Sequence, residues 1–205
     1  MTVITGLKYS VNEALILMLC RAKLSVGIHR RHKEETMAAQ AYWIEGPWKG
    51  RLAIVPRPRG GDWLEDEIAA WRKAGIGTVV SFLTPDEVAE FDLEAEKELS
   101  EAHGIRFVSF PIPDRGVPAS QHAAAALVED LEQSLANGEK VALHCRQSVG
   151  RSALIAAYLL ISEGEDPRRA FERIRSARGV RVPDTAEQIQ WVTDRAAALM
   201  TGARR

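Results

Sequence analysis

Residues 140–161 read KVALHCRQSVGRSALIAAYLLI, a short apolar run, a polar loop and a long apolar run in direct succession. The first run, 141–143, is short enough for a buried strand. The second run, 152–162, carries few charges on any side, so it predicts a helix at the centre of the core. This strand, loop and buried helix must be built into a layered architecture, because both elements need partners that cover them.

The rest of the chain alternates in the same way. Residues 78–83 and 105–110 read as strands, and 42–55 reads as a hairpin or as two edge strands. Helices are expected after Asp62, Pro85, Ser120, Asp166 and Asp184, with Asp62 and Asp184 as caps that each have a Glu three residues on. Strands that alternate with helices imply an α/β fold, with a central, mostly parallel sheet of about four to five strands flanked by helices on both faces.

Length and composition indicate one main domain. A chain of 205 residues with 46 % apolar content can bury one substantial core. We expect residues 1–36 to form an N-terminal extension, with Met37 as a possible natural start, and residues 37–205 to form the domain. The apolar run 14–20 is shorter than the ~20 residues that cross a bilayer. The basic cluster 29–33 follows this run, which is the wrong order for a secretion signal.

Net charge bears on the partners of the chain, and cysteine content bears on its location. The net charge is −1 and the pI is about 6.5, so no global field draws the chain to nucleic acid or to an anionic membrane. Two cysteines, Cys20 and Cys145, are too few for a disulfide framework, and this predicts a reducing, cytoplasmic location. The charged run 94–98, EAEKE, is expected to be a solvated face.

The polar loop has the features of an anion site. Cys145 would leave the carboxyl end of a strand and Arg151 would begin the next helix, where open α/β sheets bind ligands. Residues 146–150 are few enough to curl so that backbone N–H groups point inward beside a helix N-terminus. A phosphate suits such a loop, Arg151 can bind two of its oxygens, and the same donors stabilise a thiolate at Cys145. The alternative is that Cys145 is only a small buried apolar residue.

The segment HCRQSVGRS, residues 144–152, resembles the HCx5R[S/T] signature of the cysteine-dependent protein tyrosine and dual-specificity phosphatases. The resemblance implies that Cys145 attacks phosphorus and that water then hydrolyses a phosphocysteine intermediate. It also implies that Arg151 binds the phosphate, that His144 orders the loop, and that Ser152 assists release of the thiolate. The expected phosphate-binding residues besides Arg151 are Arg146, Gln147, Ser148, Val149 and Gly150.

Two further roles are assigned outside the signature. Asp114, in the irregular segment FPIPDRGVP, resembles the general acid on the family's mobile loop, and such an acid is typically worth ~10²- to 10⁴-fold in rate. A turn-forming Asp is the alternative for this position. Gln188, in VPDTAEQIQWV, resembles the glutamine that aims the attacking water, with Gln190 as the second choice. The basic stretch 168–181 is expected to be a solvated helix face, with a docking site for an acidic partner as the alternative.

The expected activity is hydrolysis of phosphotyrosine, and also of phosphoserine or phosphothreonine, in a phosphorylated protein or a small phosphomonoester. Two alternatives stay open: a phosphoinositide or inositol-phosphate phosphatase of the same superfamily, and a catalytically inactive phospho-binding module. No metal or cofactor is expected, because the mechanism needs none and the sequence shows no ligand spacing. Cys145 is expected to be an exposed thiol that peroxide inactivates.

Overall fold

Five strands form one sheet between two layers of helices. The structure, a computed structural model, describes residues 39–202. Its strands are β1 (Tyr42–Ile44), β2 (Arg51–Ile54), β3 (Thr78–Ser81), β4 (Arg106–Ser109) and β5 (Lys140–His144). They lie in the order β1-β2-β5-β3-β4. Only the pairing of β1 with β2 is antiparallel. The expected mostly parallel sheet is confirmed, and residues 42–55 form a hairpin whose second strand is internal.

Helices follow the strands along the chain. Within the described residues they are α1 (Leu64–Lys73), α2 (Pro85–Glu90), α3 (Glu96–Ala102), α4 (Gln121–Ala136), α5 (Arg151–Ser162), α6 (Pro167–Arg178) and α7 (Ala186–Met200). A 3-10 turn, Gly61–Trp63, precedes α1. The α5 helix is buried along almost its whole length, as its uncharged sequence predicts.

The sheet divides the apolar residues between two layers. Successive side chains of a strand point to opposite faces. Val141 and Leu143 of β5 therefore pack into the cluster that contains residues of α4, α5, α6 and α7. Ala142, between them, faces the other cluster with residues of α1. Helices thus cover both faces of the sheet, and α5 packs directly behind β5.

Two of the predicted helix caps are wrong. Asp62 lies in the 3-10 turn, and α1 begins at Leu64 without any side-chain cap. Thr185 caps α7 by accepting a hydrogen bond from the backbone N–H of Gln188. Asp184 instead donates its backbone N–H to the side chain of Gln188, at 3.1 Å. A cap must directly precede the first helical residue with extended backbone angles, and Thr185 occupies that position.

Several predictions concern residues outside the described part of the chain. These are the extension 1–36, the start at Met37, the apolar run 14–20, the basic cluster 29–33 and Cys20. Within 39–202, no helix has the length and apolar character that crossing a bilayer requires.

Candidate active site

The position of the site follows from the order of the strands. β5 is the central strand, and its Leu143 pairs with Ile54 of β2 on one side and Val80 of β3 on the other. The carboxyl ends of three parallel strands therefore meet where Cys145 leaves β5. Arg151 begins α5 immediately after the loop. The loop 145–150 thus lies between the end of the central strand and the start of the buried helix.

The loop curls around the sulfur of Cys145. The backbone N–H of Ser148 donates to Cys145 Sγ at 3.2 Å. Ser148 has a left-handed φ of 54°, which a non-glycine residue adopts only when its surroundings hold it there. Its hydroxyl donates to the carbonyl of Val55 at 2.6 Å, and this bond ties the loop to the end of β2. At 2 % exposure, Cys145 is buried in this cradle, so the expectation of an exposed thiol is wrong.

Arg151 is held by acceptors from three segments. It is only 1 % exposed, and its Nη1 donates to the carbonyls of Phe82 and Ile112 at 3.2 and 2.9 Å. Nη1 and Nη2 also donate to the two carboxylate oxygens of Glu87, at 2.6 and 2.8 Å. Nη2 makes one more bond, to Asp114 Oδ1 at 3.0 Å. These hydrogen bonds fix the position of the guanidinium.

The charges around Arg151 keep it protonated. Burial by itself would lower the pKa of a guanidinium, because it disfavours the charged form. The hydrogen bonds and charge of Glu87, with negative charge at Cys145 and Asp114, act in the other direction, and the pKa of Arg151 is raised above its ordinary value. The residue that follows the loop therefore keeps a positive charge that interacts with Cys145.

Glu87 was not found from the sequence. It forms a capping box with Thr84 at the start of α2, and the pattern T-P-D-E predicts that role. Its second role, the pairing with Arg151, joins residues 64 positions apart and has no local signal. Burial raises the pKa of Glu87, but hydrogen bonds from Arg151 and from the Thr84 backbone outweigh it, so the pKa of Glu87 is lowered.

Asp114 is the exposed member of the cluster. Its side chain is 53 % exposed, whereas that of its partner Arg151 is 1 % exposed. It lies in the irregular segment that follows β4, where the backbone N–H of Gly116 donates to the carbonyl of Pro113 and closes a turn. Asp114 is thus a solvent-exposed carboxylate in contact with Arg151. It also takes part in the turn.

His144, the last residue of β5, faces the buried carboxyl group of Glu96 in α3. Its Nε2 lies 2.8 Å from Glu96 Oε1, and both side chains are almost fully buried. The two atoms approach without an aligned hydrogen bond, and Nδ1 of His144 has no partner among the described residues. The interpretation of 94–98 as a solvated face is therefore wrong for Glu96. Leu93, Glu96 and Leu99 recur at helical spacing, and this pattern was the available signal.

Gln188 lies against the loop, and Gln190 does not. Gln188 is fully buried and donates from Nε2 to the carbonyl of Gly116 at 2.9 Å, in the turn that carries Asp114. A Cβ built on Gly150 would lie 2.3 Å from Oδ2 of Asp184 and 3.0 Å from both Oε1 and Nε2 of Gln188, so this glycine permits both side chains to approach the loop. Gln190 is exposed and donates to Asp194.

The remaining loop residues have varied surroundings. Arg146 donates from both terminal nitrogens to Glu90 at 2.8 Å. Gln147 is exposed and Val149 is partly buried. The hydroxyl of Ser152 is buried and has no hydrogen-bond partner among the described residues. The side chain of Arg146 is therefore already paired, whereas that of Ser152 is free to change its partner.

A separate surface cavity of about 510 Å³ lies between the β1–β2 turn and the α5–α6 turn. It is lined by Pro47, Glu163, Asp166, Arg169 and Arg173, among others, and it includes none of the predicted site residues. The candidate site is therefore identified by the residues of the 145–150 loop and by Arg151, and not by the size of a cavity.

Comparisons with known proteins agree with this geometry. A protein-family model described as "Polymorphic toxin system, DSP-PTPase phosphatase" matches residues 55–165, more than half of the chain. Cyclin-dependent kinase inhibitor 3 of the pig, Sus scrofa, is 32 % identical over 123 residues, which are 59 % of this chain and 58 % of that protein. The human protein is 29 % identical over the same shares. The chain thus matches less than two thirds of the length of these curated relatives.

Solved structures share the fold. A kinase-associated phosphatase with serine at its catalytic cysteine has a TM-score of 0.74 and 21 % identity, over 82 % of this chain and 99 % of that one. Tk-PTP in its active form has a TM-score of 0.63 and 25 % identity, over 77 % of this chain and 96 % of that one. Together with the family model and the loop geometry, these matches show that the chain belongs to the DSP-PTPase phosphatases, a family of cysteine-based protein tyrosine and dual-specificity phosphatases.

Proposed function

We propose that the protein is a phosphoprotein phosphatase that hydrolyses phosphotyrosine, and also phosphoserine or phosphothreonine, through a phosphocysteine intermediate. One observation carries the proposal: the sulfur of Cys145 accepts a backbone hydrogen bond inside a loop that a buried, charged Arg151 closes. Such surroundings stabilise a thiolate, which is the reactive form of cysteine, and they bind a tetrahedral dianion.

In the first step, the thiolate of Cys145 attacks phosphorus and the bond from phosphorus to the leaving oxygen breaks. The leaving oxygen takes a proton from the carboxylic acid of Asp114, which takes up that proton from solvent after it leaves the ion pair with Arg151. Arg151 and the loop amides bind the three equatorial oxygens, where negative charge is spread in the transition state. Since both protons of Arg151 Nη2 are bound to Glu87 and Asp114 beforehand, the phosphate must replace Asp114 there. This exchange releases Asp114 toward the leaving group.

In the second step, water attacks phosphorus and the bond to sulfur breaks, which releases inorganic phosphate and regenerates the thiolate. Asp114, now ionised, accepts a proton from the water. We assign the positioning of that water to Gln188, which touches both Gly150 and the Asp114 turn. Ser152, whose hydroxyl has no partner among the described residues, is free to donate to the departing thiolate.

A phosphorylated protein is the proposed substrate. The names of the relatives refer to a cyclin-dependent kinase and to a kinase-associated phosphatase, which favours a protein substrate. Arg146 is paired with Glu90, so it offers no free charge for the additional phosphates of an inositol ring. Phosphotyrosine should be hydrolysed faster than phosphoserine, because a phenol is the better leaving group. A reducing, cytoplasmic location belongs to the proposal, since the thiol must stay reduced.

Turnover of para-nitrophenyl phosphate by the wild type, Cys145→Ser and Asp114→Ala tests the activity. We expect turnover by the wild type, none by Cys145→Ser, and a rate lowered by roughly 10²- to 10⁴-fold in Asp114→Ala. A wild type that binds phosphopeptides without turnover would instead be a binding module. Faster hydrolysis of inositol phosphates than of phosphopeptides would overturn the substrate assignment, and loss of turnover in a chelator would contradict the metal-free mechanism.

All the proposed site residues lie in residues 37–205, so we assign the catalytic domain to that range. A chain that begins at Met37 should hydrolyse para-nitrophenyl phosphate as fast as the full chain, and a large loss of rate would give residues 1–36 a part in the site.

A further inference from the structure

Arg178 contacts the outer side of the 145–150 loop. It is the last residue of α6, in the basic stretch 168–181. Its Nε donates to the carbonyl of Ser148 at 2.9 Å, and its Nη2 makes a longer contact of 3.5 Å with the carbonyl of Gln147. A residue 30 positions away from Ser148 thus binds the backbone of the loop.

The orientation of these carbonyls fixes the orientation of the loop amides. In a trans peptide, the C=O and the following N–H point in opposite directions. When Arg178 holds the Gln147 carbonyl outward, the N–H of Ser148 points inward, and that N–H donates to Cys145 Sγ. When it holds the Ser148 carbonyl, the N–H of Val149 points away from Arg178. The guanidinium therefore acts on two successive peptide groups of the anion cradle.

Arg178 is itself held in place. Its guanidinium carbon lies 3.9 Å from the centre of the Tyr42 ring, a cation–π distance. Tyr42 is on β1 at the edge of the sheet, so the side chain bridges the edge strand and the loop. Arg175, in the same last turn of α6, is exposed and makes no such contact among the described residues.

We propose that Arg178 is a positioning residue for oxyanion binding: it holds the carbonyls of Gln147 and Ser148 outward so that the amides of Ser148 and Val149 face the sulfur and the phosphate. This inference rests on the proposed function, because it assigns the loop to phosphate. It also explains one arginine of the basic stretch by a contact within the protein, where a solvated face or an acidic partner was expected.

Binding of tungstate, measured by calorimetry, tests the proposal without any need for turnover. We compare the wild type, Arg178→Met, Arg178→Lys, Tyr42→Leu and the matched control Arg175→Met, each checked for folding by circular dichroism. Loss of a charge-assisted hydrogen bond should weaken tungstate binding by about tenfold or more in Arg178→Met. Arg178→Lys should be similarly weak, since an ammonium cannot reproduce the planar contact with ring and carbonyl. Tyr42→Leu should show a smaller loss, and Arg175→Met should bind as the wild type does.

Hydrolysis of para-nitrophenyl phosphate by the same variants separates the possible failures. If the wild type binds tungstate in an Arg178-dependent way but hydrolyses nothing, the positioning role stands and the proposed activity fails. If the wild type hydrolyses the ester and folded Arg178→Met matches Arg175→Met in both affinity and rate, the positioning role is wrong. Full recovery by lysine would also overturn it, because charge alone would then suffice.

Discussion

Arg151 uses its terminal nitrogens to donate hydrogen bonds to four partners. Glu87 and the carbonyls of Phe82 and Ile112 are buried or backbone acceptors that fix its position, whereas Asp114 is exposed and can leave. In the proposed mechanism, Asp114 and a phosphate oxygen therefore compete for Nη2. We infer that the same carboxylate weakens phosphate binding and then serves as the acid for the chemical step.

Asp114→Ala should lower the rate constant and tighten binding together. The turnover number for para-nitrophenyl phosphate should fall by roughly 10²- to 10⁴-fold because the leaving group is no longer protonated. The affinity for tungstate should rise by up to about tenfold because a charged competitor for Arg151 is removed. Steady-state kinetics and calorimetry measure the two effects, with Asp86→Ala as the control for an exposed Asp. Unchanged or weaker tungstate binding would refute the exchange of Asp114 for phosphate.

Glu87→Gln should change stability in a pH-dependent way. The folded protein lowers the pKa of Glu87 below its ordinary value of 4.5, so the carboxylate stabilises the fold above that pH. This stabilisation is lost as the pH falls through the lowered pKa of the folded state. Near neutral pH the variant should be less stable by about 3–5 kcal/mol, because Arg151 stays buried and loses the buried carboxylate that binds both of its terminal nitrogens.

Urea denaturation at several pH values measures this effect. The difference in free energy of unfolding between wild type and Glu87→Gln should shrink as the pH is lowered below 4.5. The exposed pair of Arg146 and Glu90 is the control, and Glu90→Gln should leave the free energy of unfolding nearly unchanged, because solvent screens such a pair. A Glu87→Gln difference that stays constant with pH would show that the charge of Glu87 does not contribute.

At this scale the sequence predicts the residues inside the loop better than those around it. Cys145, Arg151 and Asp114 were chosen as site candidates, and the structure brings Asp114 and Arg151 into contact. Their catalytic roles stay predictions. Glu87 and Arg178 were missed because each meets the loop through the tertiary fold, and neither has a neighbouring signal in the chain.

At the scale of elements, α3 places a carboxyl group in the interior of the domain. Its residue Glu96 is 2 % exposed and faces His144, while Glu98 on the same helix is exposed. The helix is short and starts without a side-chain cap, so its position depends on packing. The contact with His144, the last residue of β5, connects this helix to the strand that leads into the loop.

Glu96→Gln should lower the free energy of unfolding by about 1–3 kcal/mol, because the buried His144 loses the carboxyl group 2.8 Å from its Nε2 and gains no access to water. Hydrolysis of para-nitrophenyl phosphate should also slow, since His144 directly precedes Cys145. Chemical denaturation and steady-state rates measure both effects. Glu98→Gln, the same exchange on the exposed side, should stay within about 0.5 kcal/mol of the wild type. Equal effects of the two exchanges would show that the contact between Glu96 and His144 contributes neither to stability nor to activity.

Most element boundaries were predictable, and the exceptions share one cause. The capping box of Thr84 and the Asp166–Pro167 start of α6 depend on neighbours in the chain, and neighbours decide them. Asp62 and Asp184 match the same pattern, but Asp62 lies in a 3-10 turn, and Thr185 instead of Asp184 caps α7. Local patterns cannot show which of two adjacent candidates the tertiary structure uses.

At the scale of the whole molecule, the site depends on the packing of α5 behind β5. Leu159 of α5 is fully buried in the larger apolar cluster. Leu159→Ala should lower the free energy of unfolding by about 2–5 kcal/mol, through lost burial and a cavity. Thermal and urea denaturation measure it, and Met200→Ala, at a side chain that is 81 % exposed, should change stability by no more than about 0.5 kcal/mol. A mild effect at Leu159 would show that α5 is not the centre of the core.

The fold class was predictable from the alternation of strands and helices, but the order of the strands was not. Nothing local shows that β5 lies between β2 and β3, because these strands come together only through crossovers. Yet that order brings Val55, Phe82 and Glu87 next to the loop. Sequence patterns therefore predict a candidate catalytic loop, and the order of the strands determines which residues surround it.

The proposed mechanism requires the sulfur of Cys145 to carry the phosphoryl group during hydrolysis. Rapid acid quenching of the reaction with a phosphotyrosine peptide, followed by intact-protein and peptide mass spectrometry, tests it directly. We expect a transient adduct with the mass of one phosphoryl group, located on Cys145 and absent from Cys145→Ser. Hydrolysis that continues in Cys145→Ser, or a phosphoryl adduct found on another residue, would contradict it.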